Sequence, residues 1–219
     1  YDNDKIWAAI EAHRNGGVVE QNDLKGPEWE VLTAEDPPKD YPFFMSKKVS
    51  VPKGFEDTIE RVLLLERLRE VNALLGFTRV EAPEEGRGDD AAPRAPLSRS
   101  APDFVPATQV HGEGIFIQFK IERLEAWAKR ESVNERDAML FQGHRGWRHK
   151  RKLDPDDGYP GVRYLLLHTF AHSVIRELAL QCGYNAASIR ERIYAEVSDD
   201  HDQAGVLIYT AAADSDGTL

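Results

Sequence analysis

The sequence predicts an α+β (mixed α/β) fold, with two long buried helices packed on a small, mostly buried sheet. Three observations point there. Phe55–Leu75 and Val162–Cys182 each repeat apolar residues at helical spacing over about twenty positions. Gln109–Phe119 ends in the strong β formers Ile115, Phe116, Ile117 and Phe119. Ala204–Thr210 (AGVLIYT) has no polar alternation before Tyr209, as expected for a central strand covered on both faces.

The elements follow in order. Residues 3–14 (NDKIWAAIEAHR) read as a helix capped by Asn3 or Asp4, with Ile6, Trp7 and Ile10 on one face and Gly16-Gly17 as the stop. A short helical turn is expected around Glu28–Leu32, inside a stretch rich in turn formers, and Lys47–Val51 reads as a short strand. In Phe55–Leu75 the apolar positions Ile59, Val62, Leu63, Leu65, Leu68, Val71, Leu74 and Leu75 wrap more than half a helical cylinder. Gly76 stands at the expected left-handed cap. Phe77–Glu81 alternates like a strand.

Residues 81–106 hold five prolines and two glycines and little that can join a core, so they read as a linker or disordered insertion. They divide the chain into an N-terminal mixed helical region, 1–80, and a second region, 107–219. In the second region Ile121–Arg130 and a further piece to Phe141 read as helix, with Leu124 and Trp127 as buried anchors. Gln142–Gly161 reads as a loop, and Val162–Cys182 as a helix capped by Gly183. Asn185 is placed to cap a short helix running to Tyr194.

Charge and cysteine content narrow the function. With 28 Lys+Arg against 38 Asp+Glu the net charge is −10, so wholesale coating of nucleic acid is disfavoured. No apolar run approaches the 18 residues of a membrane span, and no membrane partner is expected. Cys182 is the single cysteine, which rules out an internal disulfide or a multi-cysteine zinc cluster within these residues. At the end of a helix it reads as a buried small hydrophobe.

Two constellations can carry chemistry. His168 and His172 are four apart on one helix, within 40° of each other, in a stripe with Tyr164, Leu165, Ala171 and Ile175. They read as buried histidines held by hydrogen bonds to backbone or carboxylates, as a pair of metal ligands, or as a direct contact to a partner. The zinc-protease pattern needs Glu directly after the first His, and Thr169 stands there. A third ligand has to come from elsewhere. The alternative function built on this pair is a metal-dependent hydrolase or nuclease, with Asp214 or Asp216 completing the site.

The second constellation is His144–Lys152 (HRGWRHKRK), with five Lys/Arg, two His, one Trp and no acid. Arg145, Trp147, Arg148, His149, Lys150, Arg151 and Lys152 are the candidate nucleic-acid contacts, with Trp147 or Arg148 able to stack on a base. The same residues also suit a protein partner, or simple pairing with the acidic surface of this chain. Gly112-Glu113-Gly114 precedes a strand rather than opening a helix, so it reads as a bulge and not a phosphate loop. Ser173 beside His172 points about 100° away from it and forms no nucleophile–base pair.

Arg163–Tyr194, Ala204–Leu219 (AGVLIYTAAADSDGTL), Gln109–Phe119 (QVHGEGIFIQF) and Pro52–Pro83 together resemble the DrmB family. These are non-helicase core subunits of the bacterial DISARM antiphage system, and the middle of the resemblance is shared with the MrfA-like zinc-binding domain found on DNA helicases. The resemblance implies a cytoplasmic, non-catalytic partner of a superfamily 2 DNA helicase, meeting DNA through the complex. It places the family's zinc-binding cysteines after Leu219. No cofactor is therefore expected in this segment, which reads as a fragment of the family pattern.

Overall fold

The computed structural model describes residues 25–36, 41–74, 76–77, 95–98, 104–183, 185, 188–198 and 202–210. The helix expected over 3–14 lies outside them, as do most of the expected linker and the candidate ligands Asp214 and Asp216. The α+β class is the one observed. Its core is a five-stranded antiparallel sheet in the order β1-β2-β3-β5-β4, formed by β1 (Phe44–Val49), β2 (Ile59–Ala73), β3 (Ala107–Phe119), β4 (Ile189–Tyr194) and β5 (Gly205–Thr210). Among the described residues four helices accompany it: α1 (Lys25–Thr33), α2 (Ile121–Ala128), α3 (Glu131–Lys150) and α4 (Gly161–Cys182).

The largest departure from the sequence reading is β2. Residues expected as a long helix form a strand paired with β1 on one side and β3 on the other, with Val62 opposite Ile117 and Leu63 opposite Phe116. Both faces of its first half, up to Leu65, are covered, whereas most residues beyond Leu65 are exposed. Ile59 and Val62 join a core with Leu167, Ala171 and Ile175 of α4 and Leu124 of α2. Leu63 and Leu65 join a second core with Trp29 and Leu32 of α1. A strand buried on both faces shows apolar residues in every phase, which mimics a broad helical stripe. The Leu, Arg and Glu content adds high helix propensity, and sheet pairing overrides it.

A second departure is β4. Ile189–Tyr194, expected as a helix capped by Asn185, is an edge strand paired with β5. Its residues alternate, with Ile189 and Ile193 in the α4-side core and Tyr194 in the α1-side core. The third concerns Gln142–Gly161: α3 runs on to Lys150, so the loop begins only at Arg151. Helix α4 ends as expected, with Gly183 in the left-handed conformation at φ 75°. Cys182 beside it is exposed rather than buried. Leu124 is buried and Trp127 half-buried.

The segment between β2 and β3 starts and returns at one place. Leu74 N donates to Pro106 O at 2.8 Å, and Phe77 bridges Ala95 by two backbone hydrogen bonds of 3.0 and 2.7 Å. The strands before and after residues 81–106 thus share one sheet. Gly112 and Gly114 lie within β3 opposite a register shift in β2 between Leu65 and Leu68. A Cβ on Gly112 would stand 1.6 Å from Thr210 O, so only glycine lets β3 pass the end of β5 there.

On the α1 side the rings of Trp29, Phe116 and Tyr194 have centroids 5.7–5.9 Å apart. Each fully buried side chain of this size contributes about 1.5–3 kcal/mol. Polar anchoring surrounds them. Glu28 of α1 accepts from Arg192 Nε and, at 2.9 Å, from the Tyr194 hydroxyl. At the other end, Arg163 in the first turn of α4 pairs with Asp202 and donates to the backbone oxygens of Glu196 and Gln203 at 3.2 and 3.1 Å. That ties the β4–β5 connection to the helix.

Candidate functional site

The basic stretch occupies the last two turns of α3 and the residues just after it, and its side chains divide into two sets. Arg148 is 2 % exposed. It donates through Nε to Asp154 O and pairs through Nη2 with Asp157 Oδ2 at 3.3 Å. Gly158, at φ 74°, passes beside its guanidinium. Arg148 is therefore turned inward and is not presented for stacking on a base, contrary to expectation. Arg145 pairs with Asp156 at 2.8 Å. The acidic loop 154–157 is thus held by the basic helix end, which is the intrachain pairing the sequence also allows. Cations in a last helical turn gain further from the helix dipole.

The second set faces outward. Trp147, His149, Lys150, Arg151 and Lys152 are all exposed. The Arg151 guanidinium carbon stands 4.0 Å from the centroid of the Trp147 ring, and His144 stacks beneath Trp147 with a 27° interplanar angle. His144 itself is fixed through Nε2 to Asp157 O at 2.9 Å. The outcome is an exposed aromatic ring with His144 stacked against it and the Arg151 guanidinium over its face. Tyr159 closes the underside by donating to Asp137 Oδ1 at 2.6 Å, and burial followed by that carboxylate raises its pKa above the ordinary tyrosine range.

The histidine pair lies where α4 faces β4. His168 and His172 are less buried than the apolar stripe suggests, with side chains 37 % and 63 % exposed. The residue the sequence reading missed is Glu191. Its Oε1 lies 2.6 Å from His168 Nδ1 and 3.6 Å from His172 Nε2. Glu191 shares a strand face with Ile189 and Ile193, and that face packs on α4. The alternation Ile-Arg-Glu-Arg-Ile carries the signal for this, once the segment is read as strand. Tyr164 stacks on His168 at 5.7 Å with an interplanar angle of 13°, fixing the ring.

One donor atom from each of His168, His172 and Glu191 lies within 4.8 Å of the others. Zinc accepts imidazole nitrogen and carboxylate oxygen as well as thiolate, so this donor set suits it chemically. A cluster of thiolates cannot be built from the single Cys182 of this sequence. Ser173 donates to Thr169 O at 2.8 Å and has no part in the cluster.

Comparison with known proteins agrees with the resemblance read from the sequence. Residues 170–219 match the family model of the MrfA Zn-binding domain, which takes in His172 and Glu191. The chain is 33 % identical over 208 residues to the DISARM protein DrmB of Bacillus paralicheniformis, covering 92 % of this chain. It spans about a third of that relative's length, 35 %. Over this span the chain is therefore DrmB-like, and its last fifty residues match the MrfA Zn-binding domain.

Proposed function

We propose that this chain belongs to a non-catalytic subunit of a bacterial antiphage DNA-defence complex of the DISARM type. In it the chain acts as a packing partner of a helicase and as an auxiliary contact to DNA. The observation that carries the reading is the 33 % identity maintained across 92 % of the chain. Two structural features support it. Among the described residues the sheet carries a hydrophobic core on each face, and the longest unbroken run of exposed cations stands at the end of α3.

The DNA contact is assigned to Trp147, His149, Lys150, Arg151 and Lys152, with Arg145 and Arg148 holding the acidic loop beneath them. Cations beside an exposed aromatic ring suit phosphate contact with base or sugar stacking, without sequence readout. The test is charge reversal at Lys150, Arg151 and Lys152 in the complex with its helicase subunit. DNA affinity is expected to fall, and the slope of log affinity against log salt to lessen by about 0.9 for each phosphate no longer neutralised. Unchanged affinity and slope would remove this surface from the function.

A further inference from the structure

We propose that His168, His172 and Glu191 form a three-ligand site for a divalent, borderline-soft cation, zinc above all, which clamps helix α4 to edge strand β4. The inference rests on donor geometry and stands apart from the helicase-partner reading. Tetrahedral zinc with bonds of about 2.0–2.2 Å sets neighbouring donors roughly 3.4 Å apart. The two donor separations from Glu191 Oε1, 2.6 and 3.6 Å, bracket that distance.

The local chemistry asks for a cation. At 2.6 Å, His168 Nδ1 and Glu191 Oε1 are too close for two lone pairs to face each other unscreened. Yet the pair does not make an aligned hydrogen bond: His168 Nδ1 is buried with no hydrogen-bond partner among the described residues, and so is Glu191 Oε2. Buried polar atoms of this kind are costly unless a partner satisfies them. A proton on the imidazole meets part of the need. A metal ion meets it for all three residues at once, and it accounts for the convergence of the more exposed His172 on the same oxygen.

The two elements are built to hold such a site. His-x3-His on α4 puts both rings on one face, and strand alternation puts Glu191 opposite them. Stacking by Tyr164 restrains the first ring. Three protein donors leave one tetrahedral position open, as in zinc sites that keep a water or take a group from a partner. An open cleft of about 500 Å³ lined by His172, Ile175, Ile189, Arg190, Glu191 and Tyr209 adjoins the cluster and gives that position access. Site formation fastens an edge strand that otherwise has a sheet neighbour on one side only.

The experiment uses the 219-residue chain produced without a histidine tag, stripped with chelator and titrated with Zn2+ alone, then with Co2+ as a spectroscopic substitute. Expected are one equivalent of bound zinc and a tetrahedral-type cobalt spectrum with no thiolate charge-transfer band. His172→Asn and Glu191→Gln should each weaken zinc at least tenfold, since removal of a supporting residue alone typically costs about 10–100-fold. Cys182→Ser should bind as the parent does. His172 is largely exposed, so its variant keeps the test sound even where Glu191→Gln disturbs packing. The proposal is overturned by no stoichiometric zinc in the parent chain, by undiminished binding in His172→Asn, or by a thiolate band that disappears with Cys182→Ser.

Discussion

The Tyr194 hydroxyl on β4 donates to Glu28 Oε2 on α1 at 2.9 Å, joining residues 166 positions apart in sequence. The same carboxylate oxygen accepts from Arg192, two residues back on that strand. Helix α1 is only nine residues long, too short to be stable alone, so its place depends on this contact and on Trp29. Burial would lower the Arg192 pKa, but the neighbouring Glu28 charge outweighs it and holds it above the ordinary arginine value. Replacement Glu28→Ala should leave the buried Tyr194 hydroxyl unpaired and cost about 2 kcal/mol of unfolding free energy. Denaturant unfolding of Glu28→Ala, Tyr194→Phe and the double variant checks this, with the double variant less destabilised than the sum of the singles.

Arg148 and Arg151 lie one turn apart on a basic segment, and they are expected to fail differently. Arg148→Ala removes a buried side chain that holds the 154–157 loop, and should lower stability by about 2 kcal/mol. Arg151→Ala removes an exposed cation over Trp147, and should change stability by less than about 0.5 kcal/mol. Thermal unfolding of the two variants side by side is the measurement. Equal effects would mean that Arg148 is not the structural member of the pair.

Two glycines give opposite forecasts. Gly112→Ala drives a methyl group to 1.6 Å from Thr210 O, a backbone atom that cannot rotate away. Its cost should reach or exceed the top of the roughly 1–3 kcal/mol typical of overpacking. Gly143 lies inside α3 with nothing within 4 Å of an added Cβ. Gly143→Ala should therefore stabilise by up to about 1 kcal/mol through helix propensity. Urea midpoints for the two variants should move in opposite directions.

Alkaline pH should weaken the fold. Burial, followed by the nearby Glu70 carboxylate, pushes the Tyr209 hydroxyl from 10.0 up to about 12, and burial with Glu28 raises Tyr194 in the same sense. Between those limits the unfolded chain has lost a proton that the folded chain keeps. Stability from this source is whole below the unfolded value of 10.0 and is lost as pH rises through about 12. Unfolding midpoints measured across that interval should fall with pH, and Tyr209→Phe should show a shallower fall.

Much of this molecule is legible in its sequence where local signals and tertiary environment agree. Helix α4 has a consistent apolar face and a glycine stop, and β5 is an uninterrupted apolar run, so the pattern marks both at nearly their observed bounds. Strand β2 is not marked in this way, because α1 covers one face of its first half and α4 the other, and two-sided burial erases the alternation that marks a strand. The same limit hides the third member of the histidine cluster. His168 and His172 announce themselves by spacing along one helix, whereas Glu191 reaches them only through the pairing of β4 with β5. Likewise the concentration of positive charge in 144–152 is visible in sequence. The inward turn of Arg148 depends on a loop that follows it.

The most direct test of the central claim is co-purification of this chain, in its full-length subunit, with a superfamily 2 helicase subunit of a DISARM system. The predicted result is a stoichiometric complex that survives size-exclusion chromatography at physiological salt and persists after nuclease treatment, so that DNA is not the bridge. Separate elution of the two subunits under those conditions, with each folded, would contradict the helicase-partner function.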